Sequence, residues 1–106
     1  MKFNNAILRI FEVRAKPGRA GELRQKLSDT SVAVVDGMPG NLGYFFGGDL
    51  AEDSHDLVFI SVWQDLASIQ ARFGDAWQQS FLPEGYENLI DTCSIRHVEF
   101  SGQVQV

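Results

Sequence analysis

The chain has 106 residues, 44% hydrophobic and 22% charged, with one cysteine and a formal net charge of −5. That length makes one domain over residues 1–106, the lone Cys93 excludes an intramolecular disulfide, and an acidic balance speaks against general nucleic-acid binding, which needs a basic surface. No apolar run nears the roughly 18–20 residues of a membrane span, and Arg9 and Glu12 interrupt the N-terminal apolar stretch, so no membrane segment or signal peptide is expected and a cytoplasmic location is.

The first element is AILRIFEVR, residues 6–14, where Ile7, Arg9, Phe11 and Val13 alternate with Leu8, Ile10, Glu12 and Arg14. Both faces are partly apolar, so the strand is expected to be covered on both sides. Lys16-Pro17-Gly18 breaks it. Ala20, Leu23, Leu27 and Val34 then recur at helical spacing over residues 19–35, with Glu22 and Lys26 paired on the wet side and Gly37 as the stop. The β-branched tail Val32-Ala33-Val34-Val35 reads as less helical.

After Met38-Pro39-Gly40 a glycine-flecked aromatic strand is expected over about 42–48, then an acidic loop from Asp49 to Asp56, then a third strand from Leu57 to Trp63. Strands two and three read as an antiparallel hairpin. Asp65 is a credible cap for a helix with Leu66, Ile69 and Phe73 on its apolar side. Gly74 interrupts that helix, Asp75 is expected to cap a shorter one carrying Trp77 and Phe81, and Pro83 and Gly85 end it. Residues 93–100 make the last strand, with the final six frayed or used in pairing.

The order β-α-β-β-α-β predicts a ferredoxin-like α+β fold: a four-stranded antiparallel sheet with strands one and three central and helices on one face. The other face carries enough Ile, Val and Phe to be costly in water, at about 25 cal/mol per Å² of apolar surface. A homodimer packed sheet on sheet is the inference. Charge is lopsided too: residues 1–26 hold seven of the nine basic residues and two acids, while residues 27–106 hold two basic residues and twelve acids. A solvated basic helix face accounts for this, as would complementary docking of subunits or attraction of an anionic ligand.

A cleft between helix layer and sheet is the natural ligand site. Trp63, at a strand end, either walls that cleft or fills core space. Trp77 and Phe81, four residues apart, are ligand wall or core packing. His97 is a candidate base or a hydrogen-bonded structural histidine, and Arg72 could stabilise negative charge or lie solvated. Tyr86 and Tyr44 could donate phenolic hydrogen bonds. His55 sits in the acidic loop without metal-ligand spacing, so no metal site is expected, and Cys93 reads as a small buried apolar side chain.

KPG opening the long helix, MPGNLGY opening the second strand, and LVFISVWQDLASIQARF together resemble the antibiotic-biosynthesis monooxygenase (ABM) family of the dimeric α+β barrel superfamily, over about residues 6–100. The resemblance implies homodimers whose sheets form a barrel, with one cleft per subunit. It also implies enzymes, many of which oxidise quinols or anthrones with molecular oxygen and no metal or flavin, while others bind and degrade haem. Trp63 matches the family's cleft tryptophan. Where several members carry a histidine after the position of Ala71, this chain has Arg72, and the asparagine and histidine of the haem-degrading branch are missing around Phe11 and around Ser80-Phe81.

The expected function is thus a cofactor-independent monooxygenase for a small aromatic or quinol-like molecule. Its catalytic residues would be His97 and Arg72, and its substrate wall Trp63, Trp77, Phe81 and Tyr86. The alternative is a non-catalytic small-ligand-binding protein of the same fold, and a haem-degrading member ranks behind both.

Overall fold

A computed structural model describes residues 1–51 and 53–105. Its strands are β1 (Lys2–Ala15), β2 (Asn41–Gly48), β3 (Asp56–Trp63) and β4 (Ile90–Gln103), and its helices are α1 (Ala20–Lys26), α2 (Val32–Val35) and α3 (Leu66–Phe73). The sheet is antiparallel with order β2-β3-β1-β4, so the first and third strands are central as the sequence predicts. The first and last strands in the chain run longer than expected: Ser101–Gln103 return along the start of β1, where Lys2 pairs with Gln103 and Phe3 with Gly102.

Alternation decides which side of each strand is buried. Phe11, Val13 and Ala15 of β1 and Leu57, Phe59 and Trp63 of β3 meet Leu23 and Leu27 of the first helical segment, Val35, Ile69, Tyr86 and Leu89 in one core. The opposite face presents Leu8 and Ile10 beside Val62 and Ile60, with Phe45 and Val98 on the flanking strands. That face adds nothing to the core cluster, and Phe45 is 62% exposed.

The first helix continues from residue 20 to 35, β-branched tail included, but it widens into a π turn at Leu27–Ser31. The Tyr86 hydroxyl donates to the Lys26 carbonyl at 2.9 Å and lies 2.7 Å from Ser31 Oγ. A phenol has one proton, so the Ser31 hydroxyl donates to it. Burial pushes the Tyr86 phenol above its ordinary pKa, which keeps that proton in place. Asp65 caps α3, accepting from the Ser68 N–H at 2.8 Å, and Gly37 ends α2 with φ of 75°.

Two expectations need correction. The second short helix does not form: a 3-10 turn at Gly74–Ala76 is followed by an irregular segment to Leu89. Helical bonding there would need the carbonyls of Trp77 and Gln79, and both accept from Arg9 instead. Pro83, four residues past Gln79, has no N–H to offer. Cys93 is exposed rather than buried, because it lies on the edge strand β4. Glu52 of the acidic loop lies outside the described residues, and among the described residues no cluster of three or more His, Cys, Asp or Glu forms. No helix among them is long and apolar enough to cross a membrane.

Candidate functional site

One rung across the helix-facing side of the sheet is polar. Register places Tyr44 opposite Ser61, Ser61 opposite Arg9, and Arg9 opposite His97, one residue from each strand. The adjacent rung is apolar: Phe46, Phe59, Phe11 and Ile95. Cross-strand partners stand about 4.5–5.5 Å apart at Cβ, so the polar side chains act as a group.

A cleft opens above these two rungs. Arg9, Phe11, Phe59 and Ser61 form its floor, with Ser31 and Val34 on one side and Phe73 and Phe81 on the other. Its empty volume is about 410 Å³ counting the open mouth, and the space open to the centre of a water molecule is about 40 Å³. That space admits only a few waters, so an aromatic ring enters only if the wall moves aside. Phe81 suits that motion: it is 45% exposed and sits on the irregular segment.

Arg9 dominates the electrostatics, at 5% exposure. One Nη1 hydrogen goes to the Trp77 carbonyl and the other to His97 Nε2 at 3.0 Å, while Nη2 donates to the Gln79 carbonyl at 3.1 Å. The Phe73 ring covers one face of the guanidinium, 3.9 Å away. Among the described residues, none of the ion pairs includes Arg9 and no carboxylate lines the cleft. Burial without a counter-ion holds its pKa down to about 10, still protonated at neutral pH.

Arginine only donates, so His97 accepts at Nε2, and its proton resides on Nδ1. Burial, and then the charge of Arg9, lower its pKa. The folded value thus lies below the ordinary one of about 6.5. A group depressed in this way contributes stability that is complete above about pH 6.5 and is lost as the pH falls toward the folded value. The unfolding free energy from urea titrations is expected to drop between pH 7 and pH 5, by less than the one-proton limit of about 1.4 kcal/mol per pH unit. Solvent screening of the half-buried ring reduces it further. His97→Gln, neutral throughout, should flatten that slope; an equal slope in the variant would place the titration elsewhere.

Of the residues singled out in the sequence, Phe81 alone lies in the lining. Trp63 is 0% exposed, packs edge-on against Phe73 at 5.9 Å, and donates from Nε1 to Ser61 Oγ at 2.8 Å. It stands behind the wall because the last inward residue of β3 lies under α3. Trp77 packs against the His97 ring at 5.0 Å, and Tyr86 is buried under the π turn, reaching the cleft only through Ser31. Arg72 donates from Nε to the Val34 carbonyl at 2.7 Å and lies beside the Phe73 and Phe81 rings at 5.5 and 5.9 Å. The sequence pattern alone does not bring Arg9, Ser61 and Ser31 together as site residues. Their signal was a polar residue interrupting an inward apolar series, as Arg9 does between Ile7 and Phe11.

The antibiotic biosynthesis monooxygenase family matches residues 6–81. No curated protein matches the chain. Among solved structures, PA3566 from Pseudomonas aeruginosa is similar with a TM-score of 0.71 and 26% identity, covering 92% of this chain and 96% of its own. SO0527 from Shewanella oneidensis gives 0.70 and 12% identity, over 95% of this chain and 96% of that one. A variant of SnoaB from Streptomyces nogalater, described as a cofactor-independent oxygenase, gives 0.65 and 18% identity over 97% and 98%. A family match across most of the chain, on the ferredoxin-like fold those structures share, means that the protein belongs to the antibiotic biosynthesis monooxygenase family.

Proposed function

We propose that the protein is a cofactor-independent monooxygenase that takes a small aromatic or quinol-like molecule into the cleft between sheet and helices. The supporting observation is a cleft walled by four phenylalanines around one buried cation, in the fold it shares with SnoaB. In such a reaction the substrate loses a phenolic proton and its electron-rich anion reduces oxygen. At a ring methylene, one oxygen atom becomes the carbonyl and the other leaves as water with the two hydrogens. The apolar walls keep bulk water from the intermediate.

Phe73 and Phe81 would receive the ring, and Arg72, alongside both, would stabilise developing negative charge. Trp63, Trp77 and Tyr86 would act from behind, positioning Phe73 and Ser61, His97, and Ser31 respectively. His97 would be the base once a substrate draws Arg9 from its Nε2. The reading includes a reducing cytoplasm, which suits the exposed Cys93 thiol.

Oxygen uptake by metal-stripped protein against quinols and polycyclic phenols tests the reading. Turnover is expected, and Phe81→Ala should lower kcat/KM about tenfold by removing one wall of the pocket. One observation favours a second reading, a non-catalytic binding protein: the His97 lone pair is engaged by Arg9, so the resting cleft holds no free base. Saturable ligand binding without oxygen uptake would select that reading.

The open sheet face is proposed to close a homodimer. Leu8, Ile10, Phe45, Val58, Ile60 and Val62 share it, and about 300 Å² of such surface represents several kcal/mol at about 25 cal/mol per Å². Light scattering should give twice the 11.8 kDa chain mass, and Ile60→Glu, a charge in the middle of the face, should give the monomer. A wild type monomeric at micromolar concentration would refute the dimer.

A further inference from the structure

We propose that Arg9 and Ser61 form an anion-recognition site that restricts the cleft to aromatic ligands bearing an ionised oxygen, phenolate or carboxylate. The proposal deepens the cleft reading above and rests on it for the location of the ligand. Its basis is an inventory of donors. Three of the five N–H groups of Arg9 have protein acceptors, which leaves Nε–H and the second Nη2–H without one among the described residues. Ser61, directly across the strand pair, accepts from the Trp63 indole, and its own hydroxyl hydrogen has no acceptor among the described residues.

Both residues line the cleft and both are buried, at 5% and 2% exposure. A buried guanidinium with spare donors and no carboxylate is an incomplete ion pair, and the missing half is an oxygen anion. Phe73, stacked on the guanidinium, and Phe81 beyond it, at 6.0 Å from Phe73, set apolar surface next to the charge. A flat ring with one anionic oxygen satisfies both requirements. A neutral ring offers at most an uncharged acceptor and leaves the buried charge unpaired, and an anion without a ring leaves the phenylalanines unused.

Arg9 also ties down the segment around Trp77 and Gln79, so the test must separate recognition from scaffolding. Benzoate and benzamide have nearly the same shape and differ in charge, and calorimetric titration of the full chain with each requires no turnover. Benzoate is expected to bind about tenfold tighter or more, the scale of a charge-assisted hydrogen bond. 4-Nitrophenol supplies the phenolate arm, because its ionised form absorbs visible light. Its apparent pKa should fall by about one unit or more when bound, since the site favours the anion.

Arg9→Gln is expected to abolish both preferences, Arg9→Lys to retain part of each, and Ser61→Ala to weaken both by about fivefold. Preference in one arm alone supports the site and identifies its anion as carboxylate or phenolate. Equal affinity of wild-type protein for benzoate and benzamide, with no shift of the nitrophenol pKa, overturns the proposal without any variant. So does an Arg9→Gln protein that folds and loses both ligands equally, the mark of a scaffold. Oxygen uptake without anion preference would defeat this site and spare the oxygenase. Anion preference without uptake would do the reverse.

Discussion

Trp63→Ala is expected to lower the free energy of unfolding by about 3–5 kcal/mol, the usual range for deleting a fully buried large aromatic. The indole has no exposed surface, packs edge-on against Phe73, and belongs to the core cluster with Phe11, Phe59 and Ile69. Its removal leaves a void between β3 and α3 and takes the donor from the Ser61 hydroxyl. Domains of this size are stable by about 5–15 kcal/mol, so the alanine variant would sit near the edge of folding. Urea unfolding followed by circular dichroism measures the loss, and a change below about 1 kcal/mol would mean that the indole carries little of the core.

This bears on how activity data should be read. A dead Trp63→Ala enzyme would report a damaged scaffold, whatever the residue does for the ligand. Trp63→Phe is the informative substitution. It keeps an aromatic ring against Phe73, removes the N–H to Ser61, and should fold. If Trp63 acts on the ligand through Ser61, that variant should weaken ligand binding about as Ser61→Ala does.

Strand order, the two central strands, the Asp65 cap and the Gly37 stop were legible because each depends on a local pattern. The polar rung was not. Arg9, Ser61 and His97 each interrupt an inward apolar series, but only register reveals that the interruptions coincide, and register is a property of strand pairs. The π turn was hidden for a similar reason, since the hydroxyl that holds it open belongs to Tyr86, 60 positions beyond Lys26. The expected helix around Trp77 and Phe81 failed against Arg9, 68 positions before Trp77, which takes the carbonyls a helix would use. The sequence alone leaves Trp63 as wall or core. Its position under α3 puts the indole in the core, and Ser61 connects it to the cleft.

Gly40→Ala should be comparably damaging, at about 2–6 kcal/mol, and from a position that touches no ligand. Two terms add. Gly40 has φ of +83°, in the left-handed region where a side chain costs on the order of 1–3 kcal/mol. A Cβ placed there would also stand 2.4 Å from Ser68 Cβ and 2.0 Å from Ser68 Oγ. Rotating Ser68 moves its oxygen and leaves its Cβ in place, so the first turn of α3 must shift or the strand must, at a further cost of about 1–3 kcal/mol.

The glycine therefore fixes how closely α3 approaches the start of β2, and α3 ends in Phe73, the ring stacked on Arg9. The expected result is a lower urea midpoint together with weaker benzoate binding. The double variant Gly40→Ala with Ser68→Gly separates the two terms, because it removes the clash and leaves the backbone strain. Measured against Ser68→Gly alone, which carries the cost of a glycine in α3 and of the lost bond to Asp65, the double variant should recover about half of the lost stability. Ser68→Ala, which keeps the offending Cβ, should recover little of the clash. Equal rescue by both partners would place the clash at the hydroxyl, and a Gly40→Ala protein as stable as wild type would mean that α3 does not rest on this glycine.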